Sequence, residues 1–411
     1  MRPHIAQDAR EPMRRPLGSR WAKSVVLVLV VVASTASFAS GSAHGQAQVV
    51  TEVVASGLDW PVSFAFAPDG RILFNERYTG RVRSLVDGQV EPGEIGRVPV
   101  LTQGEQGLLG LALDPAFASS PWVYLYHTYL NATLSVARNR VVRLLAVPSP
   151  PPPEVVLDGI PAGAFHNGGI IGFSPDGTLF VTTGDATLSN LAQDNASLAG
   201  KILRVNRDGT IPADNPIPGS PVFTLGHRNV FGLAFHPVTG RPYVSENGPD
   251  RDDEVNLLVP GGNYGWPSLT GDGNLPGFID PVVTYSSVIA PTGVGFYTGS
   301  ADPSWRGSLL LGDWNRGVLQ RIELAPPAYD AAVRAETLAG FGAGGILDLE
   351  MGPDGHVYVS TPSAIHRVRL TAAGPAGAGL EPGLLVALVT IAGVGGAFLA
   401  AILLRFRRTR P

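Results

Sequence analysis

Four polar, glycine-rich segments of the 411-residue chain carry the side chains with chemical potential. The first is Gly104-Glu105-Gln106-Gly107. The second sets His166 and Asn167 ahead of two glycines, with Thr183-Gly184-Asp185 following one hairpin later. The third is Gly226-His227-Arg228-Asn229. The fourth runs from Ser245-Glu246 through Gly248, Pro249 and the acidic stretch Asp250 to Glu254, and on to Asn263-Tyr264-Gly265-Trp266. A loop histidine with a near-neutral pKa can accept a proton, and Asp185 can orient it or bind a ligand. Arg228 is a permanent cation that can oppose developing negative charge. Hard oxygens in the acidic stretch, beside the carbonyls of Gly248 and Pro249, suit Ca²⁺. Each segment alone also reads as ordinary loop chemistry: a satisfied histidine, a turn cap, a structural ion pair, a solvated acidic loop.

Elements from across the chain must bring these segments together. A recurring unit provides them: small and apolar residues, a Pro or Gly turn, then a β-rich run. Ala65-Phe66-Ala67-Pro68-Asp69-Gly70 leads into Ile72-Leu73-Phe74, and Gly172-Phe173-Ser174-Pro175-Asp176-Gly177 into Leu179-Phe180-Val181. Further copies start at Ala112, Ala234 and Glu350, with a weaker one at Gly295. In Pro-Asp-Gly, proline fixes one φ, aspartate bonds its own backbone and glycine accepts positive φ, which suits a hairpin. The copies recur at roughly 47 to 62 residues, room for four short strands, which is one propeller blade. Six copies predict an all-β, six-bladed β-propeller over residues 49–370. Its loops converge on a central channel, so polar groups at strand ends can meet there.

Composition agrees. The chain holds 51 Gly and 36 Pro, many turns' worth, and 44% hydrophobic residues argue against disorder. A net charge of -4, with basic clusters only at the two ends, excludes a nucleic-acid surface. The absence of cysteine excludes disulfides, zinc–thiolate sites and thiol nucleophiles. The ends read as targeting segments. Arg14, Arg15, Arg20 and Lys23 precede the apolar run Val25 to Val32 and a small-residue zone, so residues 1–47 read as a signal peptide region, cleaved between Ala39 and Ala47 or else retained as an N-terminal membrane anchor. Gly383 to Leu404 is uncharged and long enough to span a bilayer of about 30 Å. A linker, 371–382, precedes it, and the basic tail 405–411 follows, which keeps the C-terminus cytoplasmic. The expectation is a single-pass cell-membrane protein with an extracytoplasmic propeller.

Taken together, the order and wording of the four segments resemble the glucose/sorbosone dehydrogenase family, over nearly all of residues 49–370. The resemblance implies a six-bladed propeller that uses Ca²⁺ and pyrroloquinoline quinone (PQQ) to oxidise aldoses to lactones. By that resemblance His166 is the general base and Asp185 a carboxylate beside it. Arg228 and Asn229 contact the quinone, with Arg228 stabilising its reduced form. The carbonyls of Gly248 and Pro249 hold the Ca²⁺ that polarises the quinone, Glu254 and Tyr264 match a second calcium site, and Glu105 stands where some members have a glutamine facing the site. The chain also departs from the pattern. Quinone-binding members carry two arginines at the positions of Gly345 and Leu347, a lysine at that of Thr298, and often an arginine at that of Ile170. Arg251, Arg316 and Arg321 are candidates to compensate. The expected function is a calcium-dependent, PQQ-type dehydrogenase of an aldose or related alcohol, with a membrane electron acceptor as a possible partner. The alternatives are a carbohydrate- or protein-binding propeller that has lost PQQ, and a calcium-dependent lactone hydrolase with Glu105 or His166 as base.

Overall fold

Every turn singled out in the sequence closes a hairpin between the first and second strand of a sheet. In the computed structural model, which describes residues 48–301, 303–342 and 344–371, these hairpins are Phe64–Phe66 with Ile72–Glu76, Leu108–Leu113 with Trp122–Asn131, and Ile171–Phe173 with Leu179–Thr182. The other three are Val230–Phe235 with Pro242–Glu246, Pro291–Phe296 with Leu309–Asp313, and Asp348–Met351 with Val357–Thr361. Two more antiparallel strands complete each sheet, and Gly96–Arg97 adds a short fifth to the first. The six first strands pack on one another in sequence, and the last returns to the first. That closed cycle is a six-bladed propeller, blades one to six in chain order.

The ring is closed by borrowing. Blade six takes its outermost strand, Gln48–Ser56, from the start of the described chain, antiparallel to Ala364–Thr371. Gln48 faces Thr371, so the propeller reaches one residue beyond each of its expected bounds. Glu52 locks the closure with ion pairs to Arg367 and Arg369.

Between blades lie apolar cores. Tyr124, Tyr126 and Val141 of blade two meet Ile171, Val181 and Leu203 of blade three, and equivalent clusters fill the other interfaces. Fully burying each large apolar side chain contributes about 1.5–3 kcal/mol, so blade stacking is the main source of rigidity. Inner strands surround a channel of about 510 Å³. Asp348 and Glu350 line it without a cationic partner among the described residues, and enclosure by protein pushes both carboxyls up, Asp348 to about 7.

One face of the ring collects the functional segments. Trp60, Glu105, His166, Arg228, Ala290 and Gly345 immediately precede inner strands, whereas Arg77, Asp185, Asn247 and Trp314 follow second strands. All therefore sit at one end of the channel, here called the mouth. Among the described residues only two short 3-10 turns occur, Ser189–Gln193 and Pro303–Trp305, and no helix is long and apolar enough to cross a membrane. The expected signal segment 1–47, the linker beyond Thr371, the span 383–404 and the tail 405–411 lie outside the described residues.

Candidate active site

His166 sits where blade three begins, with a left-handed φ of +58° that a side chain rarely adopts. Its neighbours over-determine that conformation. The His166 amide donates to Glu105 Oε2 at 2.7 Å, and its carbonyl accepts from the Ala186 amide. Gly184 lies against that carbonyl so closely that a Cβ would stand 2.1 Å from it. Only glycine fits there.

The ring is oriented by Asp185. His166 Nδ1 lies 2.8 Å from Asp185 Oδ1, which also accepts from the Thr187 amide. The other oxygen, Oδ2, accepts from Trp266 Nε1 at 2.8 Å. Two of these donors have fixed hydrogens, so a buried carboxylate accepting from both assigns the Nδ1–H tautomer to His166. Nε2 then keeps its lone pair, and the histidine side chain is 18% exposed against 2% for Asp185. An exposed acceptor nitrogen backed by a buried carboxylate is the arrangement of a general base.

Arg228 begins blade four. Its Nη1 donates to Asn247 O at 3.0 Å, and the guanidinium lies over the Trp266 ring, 5.5 Å from its centroid. No described carboxylate is within ion-pairing distance, and Nε and Nη2 make no hydrogen bond to a described residue. Burial draws its pKa below the usual arginine value. A half-buried cation with unspent donors is electrostatically incomplete. Asn229 serves as a brace, donating to Glu105 Oε2 and accepting from the Gly168 amide. Glu105 is thereby tied to blades three and four.

Next to Arg228 is a cavity of about 10 Å³, bordered by Glu246, Gly248, Asp252, Glu254 and Tyr264 among others. Glu246 and Glu254 share the amide of Asn256, at 3.3 and 3.0 Å. Burial, with the Glu246 charge adding, pushes Glu254 up to about 8. Paired buried carboxylates around a water-sized space fit a small divalent cation. Among the described residues no three carboxylate or imidazole side chains converge as a metal cluster, so backbone oxygens would have to complete the shell.

Several expected residues do other work. The Tyr264 hydroxyl donates to Leu257 O and accepts from the Val259 amide, which leaves its main-chain oxygen as its contribution to any cation site. Pro249 is exposed and does not border the cavity, whereas Gly248 does. Asp253 braces its loop, accepting from the amides of Gly248, Ile289 and Ala290. His227 is buried between Thr224 and Glu246, stacked on Tyr264. The three arginines expected to compensate are already paired: Arg251 with Asp252, Arg316 with Asp313, Arg321 with Glu336. Thr298 lies past the far end of its inner strand, away from the mouth.

The sequence reading missed Arg77 and Trp314. Arg77 donates to the carbonyls of Gln106 and Gly104, bracing the Glu105 loop, with its guanidinium against Trp60 and Tyr78. Trp314 rests on Gly345, whose φ is +69° and whose Cβ would stand 2.5 Å from the Trp314 carbonyl. A family model described as Glucose / Sorbosone dehydrogenase matches residues 58–368. The chain belongs to that family. Its members are oxidoreductases acting on sugars. Quinoprotein glucose dehydrogenase B of Acinetobacter calcoaceticus is 33% identical over 54% of this chain and 52% of its own, so that match spans about half of the relative. Aldose sugar dehydrogenase YliI of Escherichia coli K12 is 29% identical over 82% of this chain and 95% of its own. The PQQ-bound form of an aldose sugar dehydrogenase from Streptomyces coelicolor aligns with a TM-score of 0.70 at 35% identity, covering 79% of this chain and 99% of that one. The His166–Asp185 pair offers a nitrogen able to accept a proton, and Arg228 a cation with donors to spare.

Proposed function

We propose that this family member oxidises an aldose sugar or related alcohol, with PQQ as the oxidant and Ca²⁺ as its partner ion. The observation that carries the reading is the half-buried Arg228, with no ion pair among the described residues, near a His166 whose Nε2 has no described partner. PQQ is a planar polyanion, and the unspent Arg228 donors over the Trp266 face fit one end of it. Blade six offers it no cation at the two positions where quinone-binding members carry arginines, which are Gly345 and Leu347 here. The fit is thus one-sided, and affinity below that of arginine-clamped relatives is expected. PQQ-bound and quinoprotein relatives support the cofactor.

When bound, PQQ would supply a two-electron acceptor for the hydride. The chain's residues do the rest. His166 Nε2 takes the hydroxyl proton as the carbinol carbon gives up its hydride, leaving a carbonyl. Asp185 stabilises the imidazolium that forms. Arg228 opposes the negative charge that accumulates on the acceptor side. Glu246 and Glu254, with backbone oxygens such as that of Gly248 completing the shell, would hold Ca²⁺, whose Lewis acidity would favour reduction of a nearby carbonyl. The order of basic, apolar and small residues in 1–47 and the apolar stretch 383–404 put this chemistry outside the cytoplasm in this reading, within reach of membrane electron carriers.

The test is titration of the full chain with PQQ in excess Ca²⁺, followed by aldose-dependent dye reduction. Saturable binding and turnover, lost in His166→Ala, is the expected result. Folded, calcium-loaded protein that takes up no PQQ at tens of micromolar refutes it. That outcome favours the second reading, a saccharide-binding propeller without quinone, which Gly345 and Leu347 in place of arginines support.

A further inference from the structure

Across the mouth from His166 lies an aromatic ledge that the oxidation chemistry leaves unused. Trp60 precedes the inner strand of blade one, Tyr78 follows its second strand, and Trp314 follows the second strand of blade five. The Trp60 and Trp314 rings lie 5.6 Å apart at 31°, and Tyr78 meets Trp60 edge-on. All three remain open to solvent, Tyr78 most of all. In the cyclic order, blades one and six stand opposite blades four and three, so the ledge faces Arg228 and the His166–Asp185 pair.

Backbone strain holds the ledge in place. Trp60 has a φ of +49°, its amide donating to Pro362 O and its carbonyl accepting from the Arg77 amide. Trp314 reaches over blade six only because Gly345 presents no side chain beneath it. A left-handed tryptophan and a tryptophan seated on bare backbone are costly ways to leave two indoles half-buried at the mouth, and strain of this kind collects at ligand sites.

The ledge is also uncharged on its open side. Arg77 lies against Trp60 and Tyr78 with two nitrogens committed to backbone carbonyls, Arg316 is closed on Asp313, and Gly345 and Leu347 carry no charge. Flat indole faces beside a polar mouth suit a neutral ring with one C–H face and polar edges, which is a pyranose. We propose that Trp60 and Trp314 form a saccharide subsite, holding the second ring of an oligosaccharide whose terminal sugar lies at His166. The inference rests on the reading of His166 as the site of sugar oxidation, yet binding at the ledge needs no quinone.

Calorimetric titration of the full chain, calcium-loaded and quinone-free, tests it with glucose and its linear di- and trisaccharides. The longer ligands should bind roughly 3- to 10-fold tighter than glucose, the gain of one aromatic contact. Trp314→Ala should remove that gain and Trp314→Phe keep most of it, with melting curves confirming that both fold. Equal affinity for all three ligands, or a gain that survives Trp314→Ala, overturns the subsite. Failure of the oxidation reading looks different: a length-dependent, Trp314-dependent affinity with no PQQ-driven turnover leaves the ledge standing alone.

Discussion

Replacing Asp185 by asparagine tests the heart of the site. Three N–H donors converge on Asp185: His166 Nδ1 and the Thr187 amide on Oδ1, and Trp266 Nε1 on Oδ2. A carboxylate accepts from all three, but an amide has one oxygen and an NH₂ that can only donate. If the amide oxygen takes the Oδ1 position, the Trp266 indole faces NH₂ and loses its anchor, loosening the surface on which Arg228 rests. If NH₂ takes that position, His166 must turn its Nδ1 into an acceptor, and the proton moves to Nε2, where the substrate hydroxyl needs a lone pair. Both arrangements damage the base or its surroundings, and a buried orphan donor costs about 1–3 kcal/mol of stability. General-base assistance contributes about 10²–10⁴-fold, so kcat for Asp185→Asn should fall by at least about 10²-fold. The assay is dye reduction at saturating aldose, PQQ and Ca²⁺, with a melting curve to confirm folding. A folded Asp185→Asn enzyme with kcat within a few-fold of the parent would refute the assignment of His166 as base.

Chelation of calcium should lower the melting temperature and abolish turnover, and re-addition at 100 times Kd should restore about 2.7 kcal/mol; Glu254→Gln should lose most of that shift in the same melt. His127 is buried, with Nε2 facing Arg140, and burial followed by the Arg140 charge pushes its pKa down to about 4. The unfolded chain takes up this proton below about pH 6.5 and the folded chain only near pH 4, so stability should drop by up to about 3 kcal/mol across that window. Denaturant midpoints at pH 7 and 4.5 check this, and His127→Gln should flatten the slope. Gly345→Ala, at φ +69° and against the Trp314 carbonyl, should destabilise by about 2 kcal/mol in equilibrium unfolding; an unchanged midpoint would mean that Trp314 does not sit there.

The turn repeat carried the blade count because each Pro or Gly turn closes the same inner hairpin, a local event that sequence encodes locally. Ring closure by Gln48–Ser56 joins strands more than three hundred residues apart, and no local pattern marks it. The same distinction holds at the site. His166, Asp185, Arg228 and Glu105 stand out because polar residues among glycines mark loops that approach one another, and the fold brings all four to the mouth. Partners that meet only through tertiary packing were invisible: Trp266 on Asp185, Trp314 on Gly345, and Arg77 behind Trp60. The arginines named as possible substitutes are each paired: Asp252 and Asp313 are sequence neighbours of Arg251 and Arg316, whereas Glu336 reaches Arg321 from the paired strand, a contact set by strand register.

The closing strand has a further consequence for how the ring meets its surroundings. Ala364–Thr371 leaves the mouth and descends to the opposite face, where Thr371 lies beside Gln48. Both ends of the described chain thus lie together at one corner of the underside. The mouth, with His166 and Arg228, opens on the opposite face, so a long ligand laid across the rim does not cross the seam that closes the ring.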